Sequence, residues 1–186
     1  YVLTVNNVTD LALPPNAIAA NSQAPFNWTW TLTGGAITIN ASGDGAPYPS
    51  TVTAAGASGA ISKVVVALTG FTHTWPDDVD VLLVGPNNEK VLLMSDAGGG
   101  TAPAAPVTLT FDDAAASSLT TARLVSGTYR PTNLPAQQGD NGDTFPNTPG
   151  GAVGTSLSVF NGTSPNGQWR LFVRDDSNND GGSIAA

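Results

Sequence analysis

VDVLLVGPNNEKVLLMS, residues 79–95, is the stretch whose reading decides the fold. Two short apolar runs rich in Val and Leu flank Pro-Asn-Asn, a turn sequence, so they read as antiparallel neighbours. Side chains alternate across a strand. Asp80, Leu82 and Val84 therefore share one face, and Val79, Val81 and Leu83 share the other. Whichever face meets the core, the pattern is almost wholly apolar. An unpaired carboxylate at Asp80 would cost several kcal/mol or stay protonated. It is expected at the mouth of its strand, satisfied by backbone N–H groups or by a hard cation. Asp78 is expected to point to the same side.

Working outward, ISKVVVALTG (61–70), APVTLTF (105–111), SLSVF (156–160) and QWRLFVRD (168–175) read as further strands. In the last, Trp169, Leu171 and Val173 oppose Gln168, Arg170, Phe172 and Arg174. FNWTWTLTGG and GAITINA add two extended segments, and SGDGAPYPST reads as a turn-rich connection. DDAAASSL fits either a short helical turn or a loop. Residues 128–154 form a long Pro/Gly/Asn-rich stretch, and inside a compact domain such a stretch is more often functional or pinned than idle. Short strands separated by Gly/Pro turns, with no helix of useful length, predict an all-β protein, a β-sandwich or jelly roll. The opening YVLTVNNVTDLALPPN alternates and then breaks at Pro14-Pro15, giving a short strand and a linker over residues 1–25. The main sandwich is expected over residues 26–186.

Composition narrows the function classes. The chain has 186 residues, 40% hydrophobic and only 11% charged, so its surface rests on Thr, Ser, Asn and Gln, as on many secreted and cell-surface β-domains. Net charge is -8, and the six basic residues form no cluster. Nucleic acid and anionic membranes are poor partners for that surface, whereas a divalent cation is a good one. With no cysteine, disulfides, thiolate metal sites and cysteine nucleophiles are excluded. No apolar stretch approaches the ~18 residues of a membrane span, so membrane insertion is not expected. No signal peptide is visible at Tyr1, which for an exported protein implies a mature or excised fragment.

The acids fall into clusters. RDDSNNDGGS contains Asp176, Asn178, Asp180 and Gly181 in a D-x-N-x-D-G pattern, the first half of a calcium loop. A strand rather than a helix precedes it, so it is not an EF-hand; alternate oxygen donors followed by a glycine still suit calcium. The competing reading is an Asx-rich turn without metal. The candidate metal ligands are Asp78, Asp80, Asp96, Asp175, Asp176, Asn178 and Asp180, with calcium the expected cation. Asp140 and Asp143, in the long loop, could supply a second cation; Asp112 and Asp113 read as a solvated strand end.

Catalysis is not expected. His73 is the only histidine, and a triad needs a base beside a nucleophile, oriented by a third group. Thr72 and Thr74 flank it but face away, and the serines lack a nucleophile-elbow context. His73 is expected to be structural, hydrogen-bonded through both nitrogens. One His and no Cys make zinc improbable. Trp28, Trp30 and Trp75 are candidates for a sugar-stacking platform, against the plainer reading of core or linker packing. Sequons stand at Asn7, Asn27, Asn40 and Asn161.

THTWPDDVDVLLVGP and NGQWRLFVRDDSNNDGGSI resemble the P domain, or homo B domain, of proprotein convertases. His73, Asp78 and Pro86 match the first part of its pattern; Gly167, Trp169, Leu171, Val173, Asp175, Asp180 and Gly182 match the second. Asp77 and Asn179 stand where that family usually has glycine. The likeness covers about residues 36–184, and KVLLMSDAGG and SGTYRPTN are similar to its free-standing bacterial branch. It implies a secreted, non-catalytic jelly-roll sandwich that supports folding and stability beside a protease domain, with calcium bound in some members. The family's closing Trp-x-Leu strand is missing after Ala186, which implies an open sheet edge. YVLTVNNVTDLA resembles the last strand and tail of a bacterial Ig-like repeat, a remnant able to pair with an open edge.

Three roles are expected on these grounds. One is a calcium-stabilised module of a larger exported protein, serving adhesion, assembly or support of a neighbouring domain. The second is a carbohydrate-binding module. The third is a surface-layer or filament subunit that self-assembles by strand exchange.

Overall fold

The computed structural model describes residues 2–5, 22–25, 29–135 and 143–186. The chain divides into two compact units, Tyr1–Thr31 and Leu32–Ala186. In the first, β1 (Val2–Val5) pairs antiparallel with β2 (Ser22–Pro25), so the stretch read as a linker returns a second strand.

The second unit is all-β, two six-stranded sheets face to face. Its strands are β3 (Ile37–Ile39), β4 (Gly43–Asp44), β5 (Ser50–Ala54), β6 (Val66–His73), β7 (Val79–Val84), β8 (Lys90–Ser95), β9 (Val107–Phe111), β10 (Ser117–Ser118), β11 (Gly127–Arg130), β12 (Thr132–Asn133), β13 (Gly167–Asp175) and β14 (Gly182–Ile184). One sheet runs β10-β11-β9-β6-β14-β3; the other runs β12-β8-β7-β13-β4, with β5 also on β13. Pairing is antiparallel except where β10 meets β11, β11 meets β9 and β12 meets β8. The expected sandwich is present, with the hairpin of β7 and β8 at the middle of one sheet.

The period-2 reading of β7 holds: Val79, Val81 and Leu83 enter the main core between the sheets, together with Leu68, Phe71, Leu109, Phe111, Trp169 and Val173. Leu82 and Val84 point outward, yet they are buried too, in a second cluster with Leu92 and Phe172, against which Tyr48 and Phe145 pack. Burial on both faces explains why the run reads apolar throughout. Phe145 belongs to the 128–154 stretch, which shows no periodicity in sequence; that stretch also contributes part of β11 and β12.

A β-bulge sets which residues of β8 reach the outer face. The β7–β8 register slips between Val81 and Leu82: Leu82 faces Leu92, but Val81 faces Met94. The extra residue reverses the alternation, so Leu93 and Met94 both enter the core. Continuing the shifted register by one residue brings Ser95 beside Asp80 on the outer face. β6 carries a similar irregularity between Leu68 and Phe71, where Gly70 takes φ +66°, a conformation that favours glycine.

Two expected strands differ. SLSVF forms a 3-10 turn, Leu157–Phe160, because Asp113 accepts hydrogen bonds from Ser156 Oγ and from the Leu157 and Ser158 N–H groups. Leu157 and Phe160, three apart, are then both buried. Of FNWTWTLTGG, residues 29–35 carry no strand, and Trp30 and Leu32 are exposed. DDAAASSL is a turn leading into β10. Among the described residues no helix is long and apolar enough to cross a membrane.

Candidate functional site

One end of the sandwich gathers Asp77, Asp78, Asp80, Asp96, Asp143, Asp175, Asp176 and Asp180, and two buried carboxylates anchor it. Asp175 ends β13 and is fully buried. His73, the last residue of β6 and itself buried, places Nε2 3.1 Å from Asp175 Oδ2. His73 Nδ1 lies 3.2 Å from the Trp75 N–H, which donates to it, and 2.8 Å from the Trp75 carbonyl oxygen. The Ser177 N–H donates to Asp175 Oδ1 at 3.0 Å, an Asx turn that starts the following loop. Burial raises the Asp175 carboxyl above its ordinary range, opposed by the Ser177 N–H and by His73. His73 is thus structural, as its isolation in the sequence suggested, and uses both ring nitrogens.

The loop after Asp175 is stitched to β6. The Thr74 hydroxyl donates to Asp180 Oδ1 at 2.8 Å, and the Thr74 N–H donates to the Gly181 carbonyl at 3.2 Å. A Cβ on Gly182 would collide with the Thr72 carbonyl, so glycine is required where β14 threads between β6 and β3. Asn179 takes φ +75° and donates its N–H to the Ala41 carbonyl, while Asn178 is exposed.

Asp78 does not continue the β7 alternation. Pro76–Asp78 is a 3-10 turn, so the strand period begins only at Val79. Asp78 is placed with Asp175, Asp180 and Asp77, and burial followed by those three charges pushes its carboxyl up to about 6, with a hydrogen bond from Ser177 opposing. Asp80 has a different set of neighbours. Burial first, then Asp143, Asp176 and Asp96, push it up to about 8, with a hydrogen bond from Ser95 opposing. Asp80 is 2% exposed, and its Oδ2 has no hydrogen-bond partner.

The register lays out a polar row on the outer face: Asn133 on β12, Ser95 on β8, Asp80 on β7 and Arg174 on β13. Ser95 Oγ lies 2.8 Å from Asp96 Oδ2 and 2.7 Å from Asp143 Oδ1; Asn133 Nδ2 donates to Asp143 Oδ2 at 3.2 Å. Asp96 sits in a glycine turn at φ +55° and is buried. The basic side chains are engaged elsewhere. Arg174 donates to Asp44, Lys63 to Asp112, Lys90 to two carbonyls, Arg123 to Ala102, Arg170 to Asn88, and Arg130 lies against Ser118 and Ala115.

The sequence-chosen acids therefore divide. Asp78, Asp175 and Asp180 lie around His73 and Thr74, whereas Asp80, Asp96 and Asp176 lie toward Ser95. Asp143, considered only for a second cation, joins the latter; Asp140 lies outside the described residues. Asp112 is paired with Lys63 and Asp113 caps a turn. Sequence reasoning missed Ser95 and Asn133, because only the bulge and the parallel β12 bring them to this face. Among the described residues, no three His, Cys, Asp or Glu side chains converge as a ready metal-ligating group. Trp75 is 46% exposed over Gly100, where a Cβ would strike its ring; Trp30 is 50% exposed, and Trp28 lies outside the described residues.

Among known families, the model described as Proprotein convertase P-domain matches residues 61–186. No curated protein and no solved structure matches the chain.

Proposed function

The chain belongs to the proprotein convertase P-domain family, and from that premise we propose that it is a calcium-stabilised module of a larger exported bacterial protein, supporting a neighbouring domain, adhesion or assembly. The P domain is non-catalytic. The observation that carries the calcium reading is Asp80: a buried carboxylate with an orphan oxygen, among acids that push its proton affinity up. The donor set fits the ion. Carboxylates from Asp80, Asp96 and Asp176, with hydroxyl and amide oxygens nearby, are hard ligands of the kind calcium prefers, and calcium tolerates irregular geometry better than magnesium. A bound calcium would supply the positive charge and draw the carboxylates together by side-chain rotation. On the other side, Asp78, Asp180 and Asn178 are oxygen donors of the same kind. Asp175 already has protein donors on both oxygens, and its role is to hold His73.

Secretion or display at a cell surface fits the low charge and the family. The test is thermal melting of metal-free chain with and without added calcium. A melting temperature that rises with calcium supports the reading, since a ligand of the native state stabilises by mass action; unchanged melting up to millimolar calcium overturns it.

A second reading is favoured by Trp75 and Trp30, exposed aromatic rings that suit stacking on sugar. Glycan binding lost in Trp75→Ala or Trp30→Ala would support a carbohydrate-binding module, and no binding across a glycan array would remove it.

A further inference from the structure

The outer face of β7, β8 and β13 carries three rows. The polar row of Asn133, Ser95, Asp80 and Arg174 lies at one end. An apolar row of Leu92, Leu82 and Phe172 comes next, and Lys90, Val84 and Arg170 lie beyond it. Residues 143–154 cross these rows. Asp143 is held at Ser95 and Asn133, Phe145 packs over the apolar row, and Lys90, 6% exposed, donates to the Pro149 and Gly151 carbonyls at 2.7 Å each. The Leu92 N–H donates to the Gly154 carbonyl at 2.8 Å.

We infer that Asp143 and Ser95 join Asp80 and Asp96 in one oxygen-donor site for a divalent cation, and that cation binding there latches residues 143–154 over the outer apolar row. The inference rests on the calcium reading above and adds a regulated consequence to it.

Proton counting supports the site. The Ser95 hydroxyl has one hydrogen, yet two carboxylate oxygens, of Asp143 and Asp96, stand 2.7 and 2.8 Å away. One hydrogen cannot serve two acceptors. The remaining oxygen contact needs positive charge, from a shared proton or a cation. The orphan Oδ2 of buried Asp80 is a separate sign of the same need. Arg174, the cross-strand neighbour of Asp80, directs Nη1 to Asp44 at 2.9 Å.

The latch arises from how the segment is held. A cavity of about 150 Å³ lies between it and β8, lined by Leu92, Asn133, Asp143, Phe145 and Val153 among others. Unfilled space means fewer dispersion contacts beneath the cover, so its end contacts matter more. The Lys90 end is anchored by neutral carbonyls and is indifferent to divalent cations. The Asp143 end brings a negative charge to other negative charges. Without the cation this end lifts and takes Phe145 with it, uncovering Leu82, Leu92 and Phe172.

Hydrogen exchange on the full chain, in calcium and after chelation, tests this, with Asp143→Asn as the variant and magnesium as the control ion. Calcium is expected to slow exchange through residues 143–148 by about tenfold or more, an opening-energy change of ~1.4 kcal/mol, and to leave the Leu92 amide, bonded to Gly154 beyond the Lys90 anchor, unchanged. Asp143→Asn, which removes one of the proposed carboxylate ligands, is expected to shrink the calcium-induced rise in melting temperature and to lose the local slowing. A melting rise with no local slowing overturns the latch and leaves the calcium reading standing. Wild-type slowing in Asp143→Asn also overturns it. No melting rise in either protein overturns both.

Discussion

Asp175 and Asp80 lie on adjacent strands, both out of solvent, and their surroundings differ in kind. Asp175 meets a histidine on one oxygen and a backbone N–H on the other. Asp80 meets other acids and one shared hydroxyl, and keeps an oxygen without a partner. A buried carboxylate supplied by its own chain is a structural cross-link. One left short of donors costs free energy until a proton or a cation neutralises it.

The largest expected effect breaks the satisfied side. His73→Ala removes the partner of Asp175 and leaves a buried charge, costing about 3–5 kcal/mol. Denaturant unfolding is expected to show that loss equally in calcium and in chelator. A loss confined to one condition would mean that the two acids are not independent.

Lys90→Met removes both carbonyl bonds to residues 149–151 and is expected to cost about 1–3 kcal/mol. Calcium affinity, measured by titration, is expected to stay close to wild type, because the anchor lies at the far end of the segment.

Asp80 itself sharpens the comparison through sign. Its native carboxyl is pushed up to about 8 and that of Asp78 to about 6, against an ordinary 3.8. Between those values the native state holds protons that the unfolded chain releases. Metal-free stability is therefore full below about pH 4 and falls as pH rises, flattening above about pH 8. Calcium binds the ionised form and is expected to flatten or reverse that slope. Melting curves from about pH 5 to 8.5, in metal-free and calcium buffers, check both halves. Metal-free stability that rises with pH would contradict the assignment. Asp80→Asn is expected to stabilise the metal-free protein by on the order of 1 kcal/mol and to remove most of the calcium response.

The smallest effect belongs to the exposed ring. Trp75→Ala is expected to change stability by less than about 1 kcal/mol, by the same denaturant assay, and to leave calcium binding intact.

Much of this contrast was legible in the sequence, and the illegible part has a physical cause. Alternation placed Asp80 with Leu82 and Val84 because β7 is a regular strand, and the same rule assigned the two faces of β13. It failed at Asp78, where Pro76 starts a 3-10 turn, and in SLSVF, where a distant Asp113 supplies the cap. It could not find Ser95 beside Asp80. That neighbour depends on a one-residue bulge in β8, which leaves no mark in an apolar run such as VLLM. Asp143 was visible as an acid in a long loop, but which strand it would meet depends on the path of residues 143–154. The family pattern supplied His73, Asp175 and Gly182, and each occupies a position where the fold leaves little choice.

Isothermal titration of calcium into metal-free wild-type chain and into Asp80→Asn tests the central claim most directly. The account predicts saturable binding to the wild type and a loss of at least about tenfold in affinity in the variant, ~1.4 kcal/mol. Equal affinity in the two proteins, or no binding heat in either, would contradict it.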